Sequence, residues 1–336
     1  MKVKKGSLIN INSCCSVLLF GGVDGERFVS IASALNLSRA YDFELYIFLD
    51  KNYGYHFVSK EVLQKQFIDF KTEFEFEIEG GGGSDLGALV VGLPRDAIFF
   101  IALHGMFGED GGIQVKLEEL GFVYTGSSSR SCMLAFDKYS SKKTAQMNNL
   151  AVPKVVSRDC KEAECELICK PVRGGSSIGI YTYDSYASVP EAIKSDQQYM
   201  VEHKIYGREF SCGVICDDEF NVVALPPIEI LTETEFDYNE KYISHKTKEI
   251  ILDDDIEHVL SEDLKHNSVL MHKALGCQGY SRSDFICSNS GLVYLETNTL
   301  PGLTEQSLII KELSAARITL NEFVRTQIRY KLVIDR

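Results

Sequence analysis

Short apolar runs alternate with helix-length amphipathic stretches over the first third of the chain. Val17-Leu-Leu-Phe20 reads as a buried strand stopped by Gly21-Gly22. From about Gly25 to Leu37 the apolar positions Phe28, Val29, Ile31, Ala32 and Leu35 predict a helix. Glu44–Leu49 gives a second strand, and Ala97–Leu103 a third that ends in His104-Gly105. Gly112–Leu120 predicts a helix with Gly121 as its C-cap. Strands alternating with helices make a parallel α/β domain, whose ligands sit at the carboxyl ends of the strands. Glu26 and His104 lie just beyond two such ends.

A polar break at Tyr124–Arg130 marks a boundary. Ser131–Asn149 reads as one helix, and Ile168–Pro171 as a strand running into the glycine-rich loop Val172–Gly179. Met200–His203 leads to Tyr206-Gly207 and then to strands at Glu209–Val214 and Val222–Ala224. Pro226–Lys248 is long, polar and aromatic with few regular signals, as functional lids often are. The last helix is predicted from Ser307 to Arg329. Gly80–Ser84 lacks the Lys-Ser/Thr ending of a Walker loop and reads as a flexible surface connection.

The most informative stretch is Gly279–Ser307. Two β-like runs flank Ser288-Asn-Ser-Gly291, a hairpin signal. Asp284 and Glu296 are equidistant from Ser290, so an antiparallel pair centred there places them opposite each other. Asn298 shares the face of Glu296, because side chains alternate along a strand. Opposed carboxylates repel, so the arrangement calls for a cation. Oxygen-only ligands suit a hard ion such as Mg²⁺, usually accompanied by substrate phosphate.

Composition narrows the choice of chemistry. With 336 residues the chain is large enough for two or three domains. A net charge of −13 argues against a general nucleic-acid binder. No stretch approaches the 18 or so apolar residues of a membrane span, and Val17–Phe20 is too short for a signal core. The ten cysteines show no zinc spacing, which leaves reduced core thiols of a cytosolic protein as the expectation.

Other residues join the hairpin. Lys170 ends an apolar strand beside Gly174-Gly-Ser-Ser177, whose N–H groups and hydroxyls suit anionic oxygens. Lys138 follows Asp137 within the predicted helix, and on its own reads as a surface charge. Glu202 and Glu209 flank a strand entry. His104 suits a phosphate or carboxylate contact, and equally a turn. Arg282 shares the face of Asp284 and could stabilise charge on a reacting carboxyl. A lysine pair, a glycine-serine loop and a Mg²⁺ triad together imply a nucleoside triphosphate held by positioning and charge neutralisation. Without a Walker loop, the nucleotide fold is a different one.

These motifs, in this order, carry a family resemblance. Gly21-Gly-Val-Asp-Gly-Glu26, His104-Gly-Met-Phe-Gly108-Glu-Asp-Gly111, Asp137-Lys138, Lys170–Gly179, Lys241-Tyr-Ile-Ser244, Gly279–Asp284 and Glu296–Thr304 with Ser307-Leu308 span nearly the whole chain. The chain resembles the D-alanine–D-alanine ligases, which are ATP-grasp enzymes. The resemblance implies an α/β, three-domain ATP-grasp fold with an N-terminal parallel α/β substrate domain. Its parts would be 1–126, a central lid domain 127–203, and 204–336 with a long lid loop at about 229–248.

By resemblance, Lys138, Lys170, Ser177 and Lys241 hold ATP phosphates, Glu202 and the Ile205 backbone read adenine, and Glu209 the ribose. Asp284, Glu296 and Asn298 bind two Mg²⁺, or Mn²⁺ in their place. Glu26 takes the first D-alanine's ammonium, with His104 nearby, and Ser307 and the Leu308 N–H take the second carboxylate at a helix N-terminus. Ser176 and Tyr242 close a lid triad with Glu26, and Arg282 and the Gly302 N–H stabilise the tetrahedral intermediate. The implied reaction makes D-alanyl-D-alanine for peptidoglycan through an acyl phosphate, in a cytoplasmic homodimer. Tyr242 goes with dipeptide synthesis. The alternatives are D-lactate or D-serine as second substrate, or a silent nucleotide-binding protein. Asp24, Gly174 and Tyr280-Ser281 depart from the family's usual Ser, Glu and Trp-Gly, and the Asp284–Glu296 hairpin is one residue short.

Overall fold

The computed structural model describes residues 15–65, 83, 85–157, 165–175, 179–231, 248–252 and 257–334. The expectations for Ser176, Ser177, Lys241, Tyr242 and most of Gly80–Ser84 lie outside these residues.

The first sheet is built from β1 (Ser16–Gly21), β2 (Leu45–Leu49), β3 (Tyr55–Phe57), β4 (Ile98–Ile101) and β5 (Val123–Tyr124), in the order β3-β2-β1-β4-β5. All neighbours are parallel except the β2–β3 pair. Helices α1 (Arg27–Ala40), α2 (Lys60–Gln64), α3 (Leu86–Val90) and α4 (Gly112–Leu120) accompany it. Continuous apolar runs such as Val17–Phe20 and Ile98–Phe100 are fully buried, as strands covered on both faces must be. Gly21 and Gly22 have positive φ at the end of β1, where the chain turns away beside Leu49 of β2.

Next come α5 (Ser129–Phe136) and α6 (Lys138–Met147). A single helix was expected here, but Asp137 breaks it. Asp137 is extended (ψ 106°) and its carboxylate accepts from the Ser140 N–H, capping α6. The break lets the Lys138 N–H bond the Val172 carbonyl, which ties the start of α6 to the glycine-rich loop. A three-stranded antiparallel sheet follows, with β6 (Leu167–Pro171) between β7 (Tyr181–Tyr183) and β8 (Tyr199–His203); α7 (Glu191–Ser195) precedes β8.

The third sheet is antiparallel: β9 (Arg208–Cys216), β10 (Val222–Ala224), β11 (Ile228–Leu231), β12 (Lys248–Ile251), β13 (Tyr280–Ser288) and β14 (Gly291–Asn298). Helix α8 (His258–Ala274) was not anticipated. Its inward face includes Ser261, Ser268 and His272 beside Leu264 and Met271, which dilutes the apolar periodicity. The chain ends with α9 (Leu308–Ala315) and α10 (Leu320–Ile334), where one helix was predicted; Arg317, at φ 59°, separates them. Phe323, Val324 and Ile328 of α10 join the core of the first sheet, so the C-terminus packs back onto the N-terminal strands.

On α9, Glu312 is fully buried. Its Oε1 accepts the Gly213 N–H at 3.0 Å, whereas Oε2 is without a partner among the described residues. Burial pushes its carboxyl from the usual 4.5 up to about 8, with Arg282 opposing. The unfolded chain ionises near the usual value and the folded chain near 8, so this group costs increasing stability as pH rises between them. Glu312→Gln should therefore gain on the parent by roughly 2–3 kcal/mol between about pH 5.5 and 7.5, read by urea denaturation. A constant difference across that range would refute a protonated Glu312.

Candidate active site

Three structural layers meet at one cleft. Glu26 follows β1 and sits at the N-cap of α1, almost fully buried. A Cβ on Gly105 would lie 2.6 Å from Asp24 Oδ2 and 2.8 Å from Glu26 Oε2, and one on Gly175 would lie 3.1 Å from Glu26 Oε1. The Glu26 carboxylate is thus held between the turn after β4 and the glycine-rich loop after β6. Asp24 braces that turn: Oδ1 accepts the Glu26 N–H at 3.0 Å and Oδ2 the Met106 N–H at 2.9 Å. Glu109 accepts the Gly105 N–H at 3.3 Å. Burial, and then the charge of Glu26, hold the Glu109 carboxyl well above the usual range; burial and Glu26 raise Asp24 as well.

The opposite end is basic. Lys138 Nζ donates to the Gly174 carbonyl at 2.6 Å and lies 3.2 Å from Glu296 Oε2. Lys170, on β6, and Glu202, on β8, share a face of their antiparallel pair. Lys170 Nζ is 2.5 Å from Glu202 Oε1, and Lys142 Nζ is 2.7 Å from Oε2. Burial works to raise Glu202, but Lys170 and Lys142 outweigh it and hold the carboxyl below its usual value. Burial likewise opposes ionisation of Glu296, and Lys138 and Lys170 overcome it, lowering the group to about 2.

The β13–β14 hairpin places Asp284 opposite Glu296 and Arg282 opposite Asn298. The reason differs from the symmetric turn expected. The turn is the two-residue Asn289-Ser290, since Ser288 pairs with Gly291. That alone would set Asp284 against Leu295. A register shift between Asp284 and Phe285 gives the β14 arm one extra residue and restores the pairing. Arg282 grips Asp284 with two hydrogen bonds, Nε to Oδ1 at 3.0 Å and Nη2 to Oδ2 at 2.8 Å, and Ser211 adds a third to Oδ1 at 2.7 Å. Among the described residues no three His, Cys, Asp or Glu gather as a metal cluster. The donor set is two carboxylates and the Asn298 amide, all oxygens that suit a hard cation.

His104, after β4, shares its Nε2 with Ser33 Oγ and its Nδ1 with the Leu300 carbonyl, each at 2.9 Å. The Leu303 N–H donates to Ser33 Oγ at 3.0 Å, so this network lashes α1 to the loop carrying Gly302. The Leu300 carbonyl can only accept, which assigns the His104 proton to Nδ1. Ser307 is the N-cap residue of α9, and its Oγ is 2.8 Å from Thr304 Oγ1; Leu308 is buried behind it. A Cβ on Gly302 would lie 3.0 Å from Ser307 Oγ, so these two also adjoin. Ile205 follows β8, and Glu209 lies on β9 opposite Ile286.

Lys142, Glu109 and Ser211 are site residues for which the sequence reading gave no role. Lys142 had a signal: it lies four residues after Lys138 on one helical face, where like charges repel unless anions face them.

Comparison with known proteins bears on the family of the chain. The chain matches the family profiles "D-ala D-ala ligase N-terminus" over residues 16–127 and "D-ala D-ala ligase C-terminus" over residues 134–329. It is 32% identical over 327 residues to a D-alanine–D-alanine ligase of Sinorhizobium medicae, covering 92% of this chain and 94% of that one. A ligase of the same name from Pediococcus pentosaceus is 30% identical over 337 residues, with 91% and 94% covered. The crystal structure of D-alanine–D-alanine ligase from Bacillus anthracis superposes with a TM-score of 0.70 at 26% identity, covering 95% of this chain and 98% of that one. With the ordered motifs, the ATP-grasp sheets and the full-length matches in accord, the chain belongs to the D-alanine–D-alanine ligase family.

Proposed function

We propose that the protein joins two D-alanine molecules at the expense of ATP, as a step in supplying peptidoglycan precursor. The observation that carries this reading is the convergence of Glu26, the glycine-rich loop and the Arg282–Asp284–Glu296 hairpin on one cleft that is acidic at one end and basic at the other.

The ammonium of the first D-alanine is held by Glu26, which leaves its carboxylate facing the basic end. Lys138 and Lys170, with Lys241, hold the triphosphate; Glu202 and the Ile205 backbone face adenine, and Glu209 the ribose. Asp284, Glu296 and Asn298 are the residues that hold Mg²⁺, which supplies neutralisation of phosphate charge when bound. The first carboxylate oxygen attacks the γ-phosphorus and ADP leaves, giving an acyl phosphate. The second D-alanine is anchored by its carboxylate at Ser307 and the Leu308 N–H, where the dipole of α9 favours an anion. Its amine, once deprotonated, attacks the acyl carbon. Arg282 and the Gly302 N–H stabilise the tetrahedral oxyanion, and phosphate departs as the peptide bond forms. No helix among the described residues is long and apolar enough to cross a membrane, and the eight described cysteines are free thiols, which supports a cytoplasmic setting. A homodimer is the family's expectation.

The direct test is phosphate release from ATP that requires both D-alanine and Mg²⁺, with D-alanyl-D-alanine as the product; D-lactate and D-serine are run beside it. Saturating D-alanine without dipeptide would sink the proposal. Glu296→Gln should cut turnover by roughly two orders of magnitude or more and raise the Mg²⁺ needed for half-maximal rate, while circular dichroism stays that of the parent. Asp24→Ser leaves one oxygen for two N–H donors. It should raise the KM for the first D-alanine by about tenfold without changing that for ATP. An unchanged D-alanine KM would remove Asp24 from this role.

A further inference from the structure

Lys142 has no part in the reaction described above, yet it is among the most deeply buried charges in the molecule. Its side chain is 4% exposed and that of Glu202 is 2% exposed. Lys142 and Lys170 divide the two oxygens of Glu202 between them.

The geometry points to Lys142 as a positioning residue that keeps Glu202 ionised and aimed at the exocyclic amine of adenine, making the site selective for a 6-aminopurine nucleotide. This rests on the reading of Glu202 as the base-facing group. A carboxylate buried to this degree cannot stay ionised without a cation beside it. In the unliganded molecule it has two. A bound triphosphate carries several negative charges and competes with Glu202 for Lys170. As Lys170 turns to the phosphates, Oε1 loses its donor and becomes free to accept an N–H. Oε2 keeps Lys142, fixed on α6 one turn after Lys138. Adenine presents an amine donor at that edge, whereas hypoxanthine presents a carbonyl oxygen that the carboxylate repels.

The electrostatics run the same way. Burial and then the nearby charge of Lys170 lower the Lys142 ammonium to about 8, with Glu202 opposing. Withdrawing Lys170 removes one of the two depressing influences, so Lys142 holds its proton more firmly when Glu202 depends on it alone.

The test is calorimetric binding of ATP and of inosine triphosphate to the full chain, so the readout does not depend on turnover. The parent should prefer ATP. Lys142→Met should reduce that preference by about tenfold, mainly by weakening ATP, and Lys142→Arg should restore most of it. Equal weakening of both nucleotides by Lys142→Met would overturn the proposal. Should that variant fail to fold, Glu202→Gln is compared with Glu202→Gln/Lys142→Met, in which both charges are removed together. No further change in the ATP preference is expected there, and a further change would equally overturn it. Phosphate release by the parent is measured in parallel; its failure would count against the ligase reaction and leave the nucleotide ratios to decide the role of Lys142.

Discussion

A charge buried in protein must be answered by an opposite charge close by, and this cleft is assembled around that requirement. Glu202 draws Lys142 from α6 and Lys170 from β6 to itself on β8. Glu296 on β14 draws Lys138. Arg282 and Asp284 answer each other along one strand. Helix α6 stands between two of the sheets, reaching Glu202 of the three-stranded sheet through Lys142 and Glu296 of the third sheet through Lys138, so contacts that neutralise the site also tie its walls to one helix. Desolvation makes such pairs weak contributors to net stability, yet costly to break singly. Their value lies in order. A ligand that brings its own phosphates enters a site whose lysines are already gathered.

The acidic end answers a different need. Asp24, Glu26 and Glu109 crowd around Gly105, which sits at φ 64° where a side chain would collide with two carboxylates. Burial, with repulsion from Glu26 added to it, raises Asp24 and Glu109. An arriving ammonium relieves that repulsion. On the proposed reaction, a zwitterionic amino acid would have one favoured direction in the cleft, with its ammonium toward Gly105 and its carboxylate toward the lysines, and the field would begin to orient it before any specific contact is made.

Much of this was legible in the sequence. Buried parallel strands announce themselves as unbroken apolar runs, and Glu26 and His104 could be placed beyond their ends from that pattern alone. Asp284 and Glu296 face each other as a turn centred on Ser290 led one to expect, although a two-residue tip and a register shift bring them there instead. What stayed hidden depended on contacts distant in the chain. Asp137 reads as an ordinary helical residue until Arg173 and Val172 pass beside it. Helix α8 can bury His272 because Ser281, on β13, offers it a partner, and no local pattern reveals that. Lys142 reads as a solvated lysine until β8 brings Glu202 over it. His104 showed its place at a strand end, but its hold on Leu300 spans far too much sequence to be inferred.

The β13–β14 hairpin that carries Asp284 and Glu296 contains two irregularities that offset each other. A tight two-residue tip and an extra residue in the β14 arm cancel, much as two opposite frameshifts restore a reading frame. The geometry that counts there is the phase between Asp284 and Glu296, which a change at the tip leaves intact when the register shift compensates for it. Loss of a residue at the tip can be absorbed a few positions away by a kink in one arm, leaving the oxygens where the chemistry needs them. A ligase of this family can therefore change the outline of its hairpin without changing its reaction.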